Sequence, residues 1–299
     1  MRSGILYALA AYLLWGFLPV YFLLLQPAGA FEIVAWRIIF ALVFCALLIT
    51  VSRSWPAVIA LVRQPRLLLT LGVAAALIYV NWQVYVFGAT TGHVIETSLG
   101  YFINPIVTVL LGVVVLREKL RPPQWVAVGI STVAVLMIAI GYGAFPWIAL
   151  SLAGSFGLYG LLKKRVGPRV DALSGLAIET AWLLPVAIVQ LLVVGSTVGV
   201  TFGTDGAPHA LLLAASGIVT AIPLLLFAAA SRRLELVTMG FVQYLTPVIQ
   251  FLVGYFLLHE AMPPVRWAGF VLVWIALVVL SIDLVRRRRG ARRASALTV

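Results

Sequence analysis

Residues 101–125 read YFINPIVTVLLGVVVLREKLRPPQW, and residues 243–267 read QYLTPVIQFLVGYFLLHEAMPPVRW. The second stretch repeats the skeleton of the first 142 positions on: Pro105 becomes Pro247, Gly112 becomes Gly254 and Leu116 becomes Leu258, while Glu118, Pro122 and Trp125 become Glu260, Pro264 and Trp267. The charges do not follow. Arg117, Lys119 and Arg121 become His259, Ala261 and Pro263, and in the neighbouring loop Thr90 and Thr91 become Arg232 and Arg233. Lysine and arginine in short loops mark the cytoplasmic side of a membrane. A duplicated segment that loses them in one loop and gains them in another is expected to be inserted upside down, and inverted repeats of this kind are characteristic of secondary transporters.

The composition agrees with a membrane setting. Of 299 residues, 63% are hydrophobic and 10% charged, and the mean hydropathy is +1.12. No soluble domain of this size needs so much apolar surface. The apolar runs suit the ~20 helical residues that cross about 30 Å of hydrocarbon, and they lack the period-two alternation of barrel strands. The first run, after Arg2, continues to Leu25. That is too long for a signal-peptide core, so it is read as a span. Ten spans are predicted, at approximately 4–25, 32–52, 67–87, 95–116, 122–141, 145–162, 174–194, 208–230, 237–258 and 264–285. Trp55 and Pro56 open a stretch expected to lie in the interface as a short helix.

Orientation follows from the basic residues. With the N-terminus inside, the inner connections hold Arg2, Arg53, Arg63, Arg66, Arg117, Lys119, Arg121, Lys163, Lys164, Arg165, Arg169, Arg232 and Arg233. Arg286 to Arg289, Arg292 and Arg293 follow the last span, so 19 of 21 basic residues fall inside and only Arg37 and Arg266 do not. The positive-inside rule therefore predicts both termini in the cytoplasm. The expected fold class is an all-α polytopic membrane protein, ten transmembrane helices as two inverted five-helix repeats. The first repeat takes residues 1–142, the second 143–285, and a basic cytoplasmic tail 286–299.

The chain resembles the drug/metabolite transporter superfamily, in its EamA group, and more narrowly the RarD proteins. The resemblance rests on Trp15 and Gly16 in the first span, Arg37 in the second, Tyr79, Asn81, Trp82 and Gln83 in the third, and Ser98 through Pro105 in the fourth. Glu118 continues it, and Gln243, Tyr244, Pro247 and Glu260 echo it in the second half. The second repeat departs from the pattern, since Phe156 and Gly157 align with Trp15 and Gly16, and Glu179 aligns with Arg37. The resemblance implies ten helices in two inverted repeats, a central substrate cavity, alternating access and export from the cytoplasmic membrane of a bacterium. RarD members are linked by name to chloramphenicol sensitivity.

Two intramembrane charges stand out, because inserting one costs about 2.5–3.5 kcal/mol on translocon-derived scales. Arg37 lies about one and a half turns into span two from the outer side, and Glu179 a similar depth into span seven from the inner side. At 1.5 Å per residue they should be roughly 15 Å apart along the membrane normal. Glu96 and Glu32 are therefore the expected partners of Arg37. Functionally, Arg37 is expected to anchor substrate or help form an outer gate, and Glu179 to carry protons or form an inner gate. Structurally, Arg37 could snorkel and Glu179 could pair with the Lys163–Arg165 loop.

Aromatic and amide side chains make the second group. Trp15, Tyr79, Asn81, Trp82, Gln83, Tyr101, Asn104, Gln243, Tyr244 and Gln250 suit a cavity for an amphipathic small molecule, with flat walls and a few orienting hydrogen bonds. Interhelical bonding and interfacial aromatic belts are the competing reading. Pro105 and Pro247 occupy matching helices and are expected to act as paired kinks, and with Glu179 and Glu96 they make the coupling or gating set. Glu118 and Glu260 are expected to bond free amides at the start of the following helix. Gly154, Gly157 and Gly160 should form a smooth packing face.

Other classes find little support. Cys45 is the sole cysteine, which rules out an intrachain disulfide. His93, His209 and His259 lack metal-ligand spacing, so no metal is expected. There is no phosphate-binding glycine loop for ATP, and no cofactor is implied. The formal charge of +12 sits in loops and tail, where it meets anionic lipid rather than nucleic acid. The intramembrane acids and bases are too few and too separated for an enzyme. The expected partners are a small-molecule substrate, the lipid bilayer and coupling protons. A lipid or lipid-carrier flippase of the same architecture is the alternative.

Overall fold

Hydrocarbon offers no partner to a backbone amide, so a chain this apolar must satisfy its amides within helices. The computed structural model describes residues 2–116, 122–142, 145–166, 169–231, 233 and 242–296. These residues form α1 (Arg2–Gly16), α2 (Leu18–Leu23), α3 (Ala30–Val51), α4 (Trp55–Val62), α5 (Pro65–Thr90) and α6 (Val94–Leu116). They continue as α7 (Pro122–Tyr142), α8 (Trp147–Val166), α9 (Ala172–Thr197) and α10 (Gly206–Ser231). After α11 (Leu245–Leu252) comes a π-helical turn (Val253–Leu257), and α12 (Pro264–Ala296) is last. Among the described residues, six stretches are long and apolar enough to cross a bilayer by length and composition: Ser3–Leu23, Ala30–Val51, Pro65–Thr90, Ala172–Thr197, Gly206–Phe227 and Pro264–Asp283. Pro122–Met137, Trp147–Lys163 and Leu245–Leu257 are shorter apolar helices. The protein is thus an all-helical, multi-pass membrane protein.

The helix after Trp55 is α4, with Pro56 in its first turn, where a missing N–H costs nothing. The basic stretch after residue 285 continues α12 as helix to Ala296. Of the predicted span 237–258, residues 237–241 lie outside the described residues, as do Glu118 and its basic neighbours.

The matched prolines behave differently. α6 runs unbroken across Pro105, whose side chain lies outside the described set. Pro247 instead stands in the first turn of α11, just after a break at Tyr244. Its ring would clash with the carbonyl of Gln243 in a continuous helix. The expected interior kink is therefore an interruption and restart, and the two prolines do not form an equivalent pair.

α3 packs against α9 and α10, α5 against α8 and α9, α1 against α10 and α11, α6 against α8 and α11, and α7 along α12. One buried apolar core centres on α3, α5 and α9, with Ile33, Ile38, Leu71 and Leu183. A second lies among α6, α7, α11 and α12, around Phe102, Phe251 and Phe270. Glycines set the closest approaches. A Cβ on Gly217 of α10 would lie 2.3 Å from the Phe40 carbonyl carbon of α3, a backbone atom that cannot step aside. A Cβ on Gly16 would meet Ile249 at 2.8 Å, and one on Gly157 would meet Val107 at 3.0 Å. Around Gly154 and Gly160 a Cβ would meet nothing within 4 Å, so of the expected glycine face only Gly157 is tight.

Candidate functional site

The Gly217 approach brings α10 within reach of Arg37 on α3. Arg37 is 4% exposed, and its Nε donates to Thr220 Oγ1 at 2.6 Å. Its guanidinium lies 4.5 Å from the Trp82 ring and 5.6 Å from the Phe22 ring. Its Nη1 is buried without a hydrogen-bond partner among the described residues. Neither expected carboxylate partner is there. Glu32 Oε1 accepts from the amides of Thr201 (2.8 Å) and Phe202 (3.0 Å) and from Trp36 Nε1 (3.3 Å). Glu96 Oε1 accepts from the Ile148 amide at the start of α8, at 3.1 Å. The free amides of a helix start or a turn compete well for a carboxylate, and both glutamates sit closer to such amides than to Arg37.

Magnitudes explain how the guanidinium persists with no carboxylate bound to it among the described residues. A cation over a desolvated aromatic ring gains about 2 kcal/mol, and a charged hydrogen bond about 1.5–3 kcal/mol. Two rings and one hydroxyl are enough to offset the cost of about 2.5–3.5 kcal/mol for an intramembrane arginine. They do so without filling Nη1.

A file of rings leads from this arginine to the other buried charge. Phe22 meets Tyr85 edge-on at 6.0 Å, Tyr85 meets Tyr101 at 5.7 Å, Tyr101 meets Phe156 at 6.0 Å, and Phe156 meets Tyr159 at 6.1 Å. Tyr159 then donates its hydroxyl to Glu179 Oε2 at 3.1 Å, and Lys163 Nζ binds Glu179 Oε1 at 2.7 Å. Glu179 thus pairs with Lys163, which lies within α8 and not in a loop after it, and Arg37 and Glu179 occupy opposite ends of the file. Amides flank it. Tyr101 donates to Asn81 Oδ1 (3.2 Å), and Asn81 Nδ2 donates to Ser155 Oγ (3.1 Å) and the Leu152 carbonyl (3.2 Å). Gln250 Nε2 donates to the Tyr85 hydroxyl (2.8 Å) and the Trp15 carbonyl (3.2 Å).

Of the predicted site residues, Arg37, Asn81, Trp82 and Tyr101 come together here, with Glu179 at the far end. Trp15 joins through Gln250 but rests its ring on Tyr12 and Phe227. Asn104 is buried beside Gly157. Gln83 bonds to Gln190 on α9 at 2.9 Å. Tyr79 is half-buried at the edge of the first core, Gln243 half-buried before α11, and Tyr244 half-buried against the second core. Sequence reasoning missed Phe22, Tyr85, Phe156, Tyr159 and Thr220. A signal existed for Tyr85, one helical turn after Asn81, and for Tyr159, one turn before Lys163.

A second set of bonds closes one end of the bundle. Beside the Glu32 and Glu96 contacts, Glu260 accepts from the amides of Val94 (2.5 Å) and Ile95 (2.8 Å), the first residues of α6. This corrects the expectation that Glu260 serves the helix following it: the carboxylate caps α6 across the bundle. Tyr21 donates to the Leu212 carbonyl at 2.6 Å and His209 Nε2 to the Leu25 carbonyl at 2.9 Å, at the same end. His209 sits in the first turn of α10. Among the described residues, no three His, Cys, Asp or Glu side chains are grouped as metal ligands.

Residues 2–140 match the EamA-like transporter family. The chain is 50% identical over 291 residues to Protein RarD of Streptomyces exfoliatus, covering 97% of this chain and 92% of that protein. It is 39% identical to Protein RarD of Escherichia coli (strain K12), covering 96% and 97%. It is 34% identical to a protein of Pseudomonas aeruginosa named Chloramphenicol-sensitive protein RarD, covering 97% and 98%. A solved crystal structure superposes with a TM-score of 0.61 at 17% identity, over 96% of this chain and 99% of that one, which speaks for the fold alone.

Proposed function

The chain belongs to the RarD group of EamA-like transporters in the drug/metabolite transporter superfamily, and from that premise we propose that it is a secondary active transporter. It exports a small amphipathic metabolite or drug by alternating access across a bacterial cytoplasmic membrane, with both termini in the cytoplasm. The observation that carries this reading is the aromatic file with a buried cation at one end and a buried carboxylate at the other. Substrate contacts are assigned to Arg37, Trp82, Asn81 and Tyr101, with Trp15, Asn104, Tyr79, Gln243 and Tyr244 reached as the bundle opens. Glu179 and Lys163 form the inner gate, and protons that neutralise Glu179 couple to transport. Glu96, with Glu32 and Glu260, forms the outer gate.

The rocking units are residues 1–142 and 143–285, each of five helices, followed by a basic tail at 286–299. Helix partnerships support this division. α3 with α10 answers α9 with α5, α6 with α8 answers α11 with α1, and α5 with α8 answers α10 with α1. Side chains repeat the correspondence, since Gly16 on Ile249 mirrors Gly157 on Val107, within one residue of the repeat spacing. Such an arrangement places a substrate site between two units that tilt in opposite senses.

A flippase needs a lateral groove that also holds a headgroup. The apolar groove between α3, α4 and α9, lined by Leu42, Trp55, Val58 and Trp182 among others, carries no charged side chain in its lining. Reconstitution into proteoliposomes tests the choice: counterflow of a labelled soluble compound is expected, and scrambling of labelled lipid without counterflow would move the assignment to the flippase. The name of the Pseudomonas relative makes chloramphenicol a first compound to label.

A further inference from the structure

We infer that the substrate is an organic monoanion, a carboxylate on a flat aromatic body, selected by the open edge of the Arg37 guanidinium; this inference rests on the carrier reading above. Arg37 is buried, and a guanidinium keeps its charge at any physiological pH. Trp82 and Phe22 occupy its surroundings as ring contacts, and Nε is taken by Thr220. Nη1 is a charged donor in a dry place with nothing to donate to among the described residues. A buried donor without an acceptor is costly, and more so when charged. A ligand oxygen bearing a negative charge removes both penalties at once.

The charge of that ligand follows from the surroundings. Glu32, Glu96, Glu179 and Glu260 are each held by donors other than Arg37. One guanidinium edge balances one negative charge, so a carboxylate leaves a neutral complex. A dianionic phosphate would leave an uncompensated charge in a low-dielectric site. Tyr85 adds a polar contact: its hydroxyl accepts from Gln250, which leaves the phenolic proton to donate. The ring file from Phe22 to Tyr159 supplies flat faces for an aromatic body, because offset and edge-on contacts are the arrangements rings prefer. An anion also leaves a cell with a negative interior along the membrane potential, so the residue that selects charge gives export a driving force.

Matched acid and amide pairs test the inference on purified full-length protein. The probes are 2-naphthoate against 2-naphthamide, and indole-3-acetate against indole-3-acetamide, read as ligand-induced rise in melting temperature. Both carboxylates are expected to stabilise the protein at concentrations at least about tenfold below their amides. Arg37→Gln is expected to erase that preference, and Arg37→Lys, which keeps the charge and guards against misfolding of the first variant, to retain part of it. Wild type stabilised by neither carboxylate, or equally by acid and amide, overturns the inference, as does Arg37→Gln with the preference intact. Counterflow of the same four compounds separates the two readings. Amide moved as fast as acid removes anion selection and leaves the carrier. Carboxylate binding without any counterflow removes the carrier and leaves the anion site.

Discussion

Arg37 and Glu179 are buried charges of opposite sign held by different means. Glu179 is satisfied by a direct ion pair and a phenol, whereas Arg37 rests on two rings and a hydroxyl. The difference supports the proposed roles, in which the satisfied carboxylate beside Lys163 of α8 acts as a latch and the arginine with an idle donor as a receptor. Lys163 is 31% exposed on its side chain, so water can replace Glu179 when the latch opens. Glu179→Gln keeps a hydrogen-bonding partner for Tyr159 but removes the charge facing Lys163. We expect surface expression close to wild type and an initial transport rate lower by about tenfold, equivalent to about 1.4 kcal/mol. Proteoliposome uptake at equal protein content measures it, and an unchanged rate would take Glu179 out of the mechanism. Both charges were legible because an ionisable residue interrupting an apolar run is conspicuous. Their surroundings were not. Threonines and tyrosines are ordinary in a membrane span, and nothing local marks Thr220 or Tyr85 as facing Arg37. The error over Glu32 and Glu96 came from matching charges while overlooking backbone amides, which outnumber arginines at every helix start.

Among the elements, the contact between α3 and α10 sets the geometry on which the arginine depends. Thr220 reaches Arg37 because Gly217, one turn earlier, lets the two backbones close up. Gly217→Ala would place a methyl 2.3 Å from the Phe40 carbonyl carbon, so the helices must part. Overpacking of this sort costs about 1–3 kcal/mol, and the Arg37–Thr220 bond should be lost with it. Gly154→Ala is the control on another helix: its methyl meets nothing within 4 Å, and alanine is a better helix former by up to about 1 kcal/mol. Thermal unfolding in detergent should therefore fall for Gly217→Ala and hold or rise for Gly154→Ala. If the two variants melt alike, the close approach does not control this interface. Helix boundaries were largely readable from apolar runs bounded by prolines and charges, and α4 from its Trp-Pro start. Which glycines are tight was not readable, because the sequence spaces Gly154, Gly157 and Gly160 evenly while only the second faces a neighbouring helix closely. The inequality of Pro105 and Pro247 was equally hidden, since both sit at the same place in the repeat.

For the whole molecule, the proposed units 1–142 and 143–285 meet most firmly at one end. Glu32 and Glu96 of the first unit bond amides of Thr201, Phe202 and Ile148 in the second, and Glu260 of the second bonds Val94 and Ile95 in the first. The repeat is what proposes the division, through Pro, Gly and Glu returning at one spacing. These reciprocal bonds were not, because each joins a side chain to an amide more than fifty positions away. Alternating access requires that the closed end open, and each carboxylate then exchanges protein amides for water. The balance is small for every bond, so a modest weakening moves the population. Replacing a carboxylate by its amide keeps the shape and weakens a charge-assisted bond by about 1 kcal/mol, or about fivefold in an equilibrium. Glu96→Gln and Glu260→Gln should each speed hydrogen exchange at the amides they hold, and the pair together should open the whole end. In the double variant, exchange is expected to rise also at Thr201 and Phe202, whose own partner Glu32 is untouched, because the units part as rigid bodies. Amide exchange resolved by peptide on the reconstituted protein gives the readout. A rise confined to Val94, Ile95 and Ile148 would mean that these carboxylates cap helices locally and do not hold two units together.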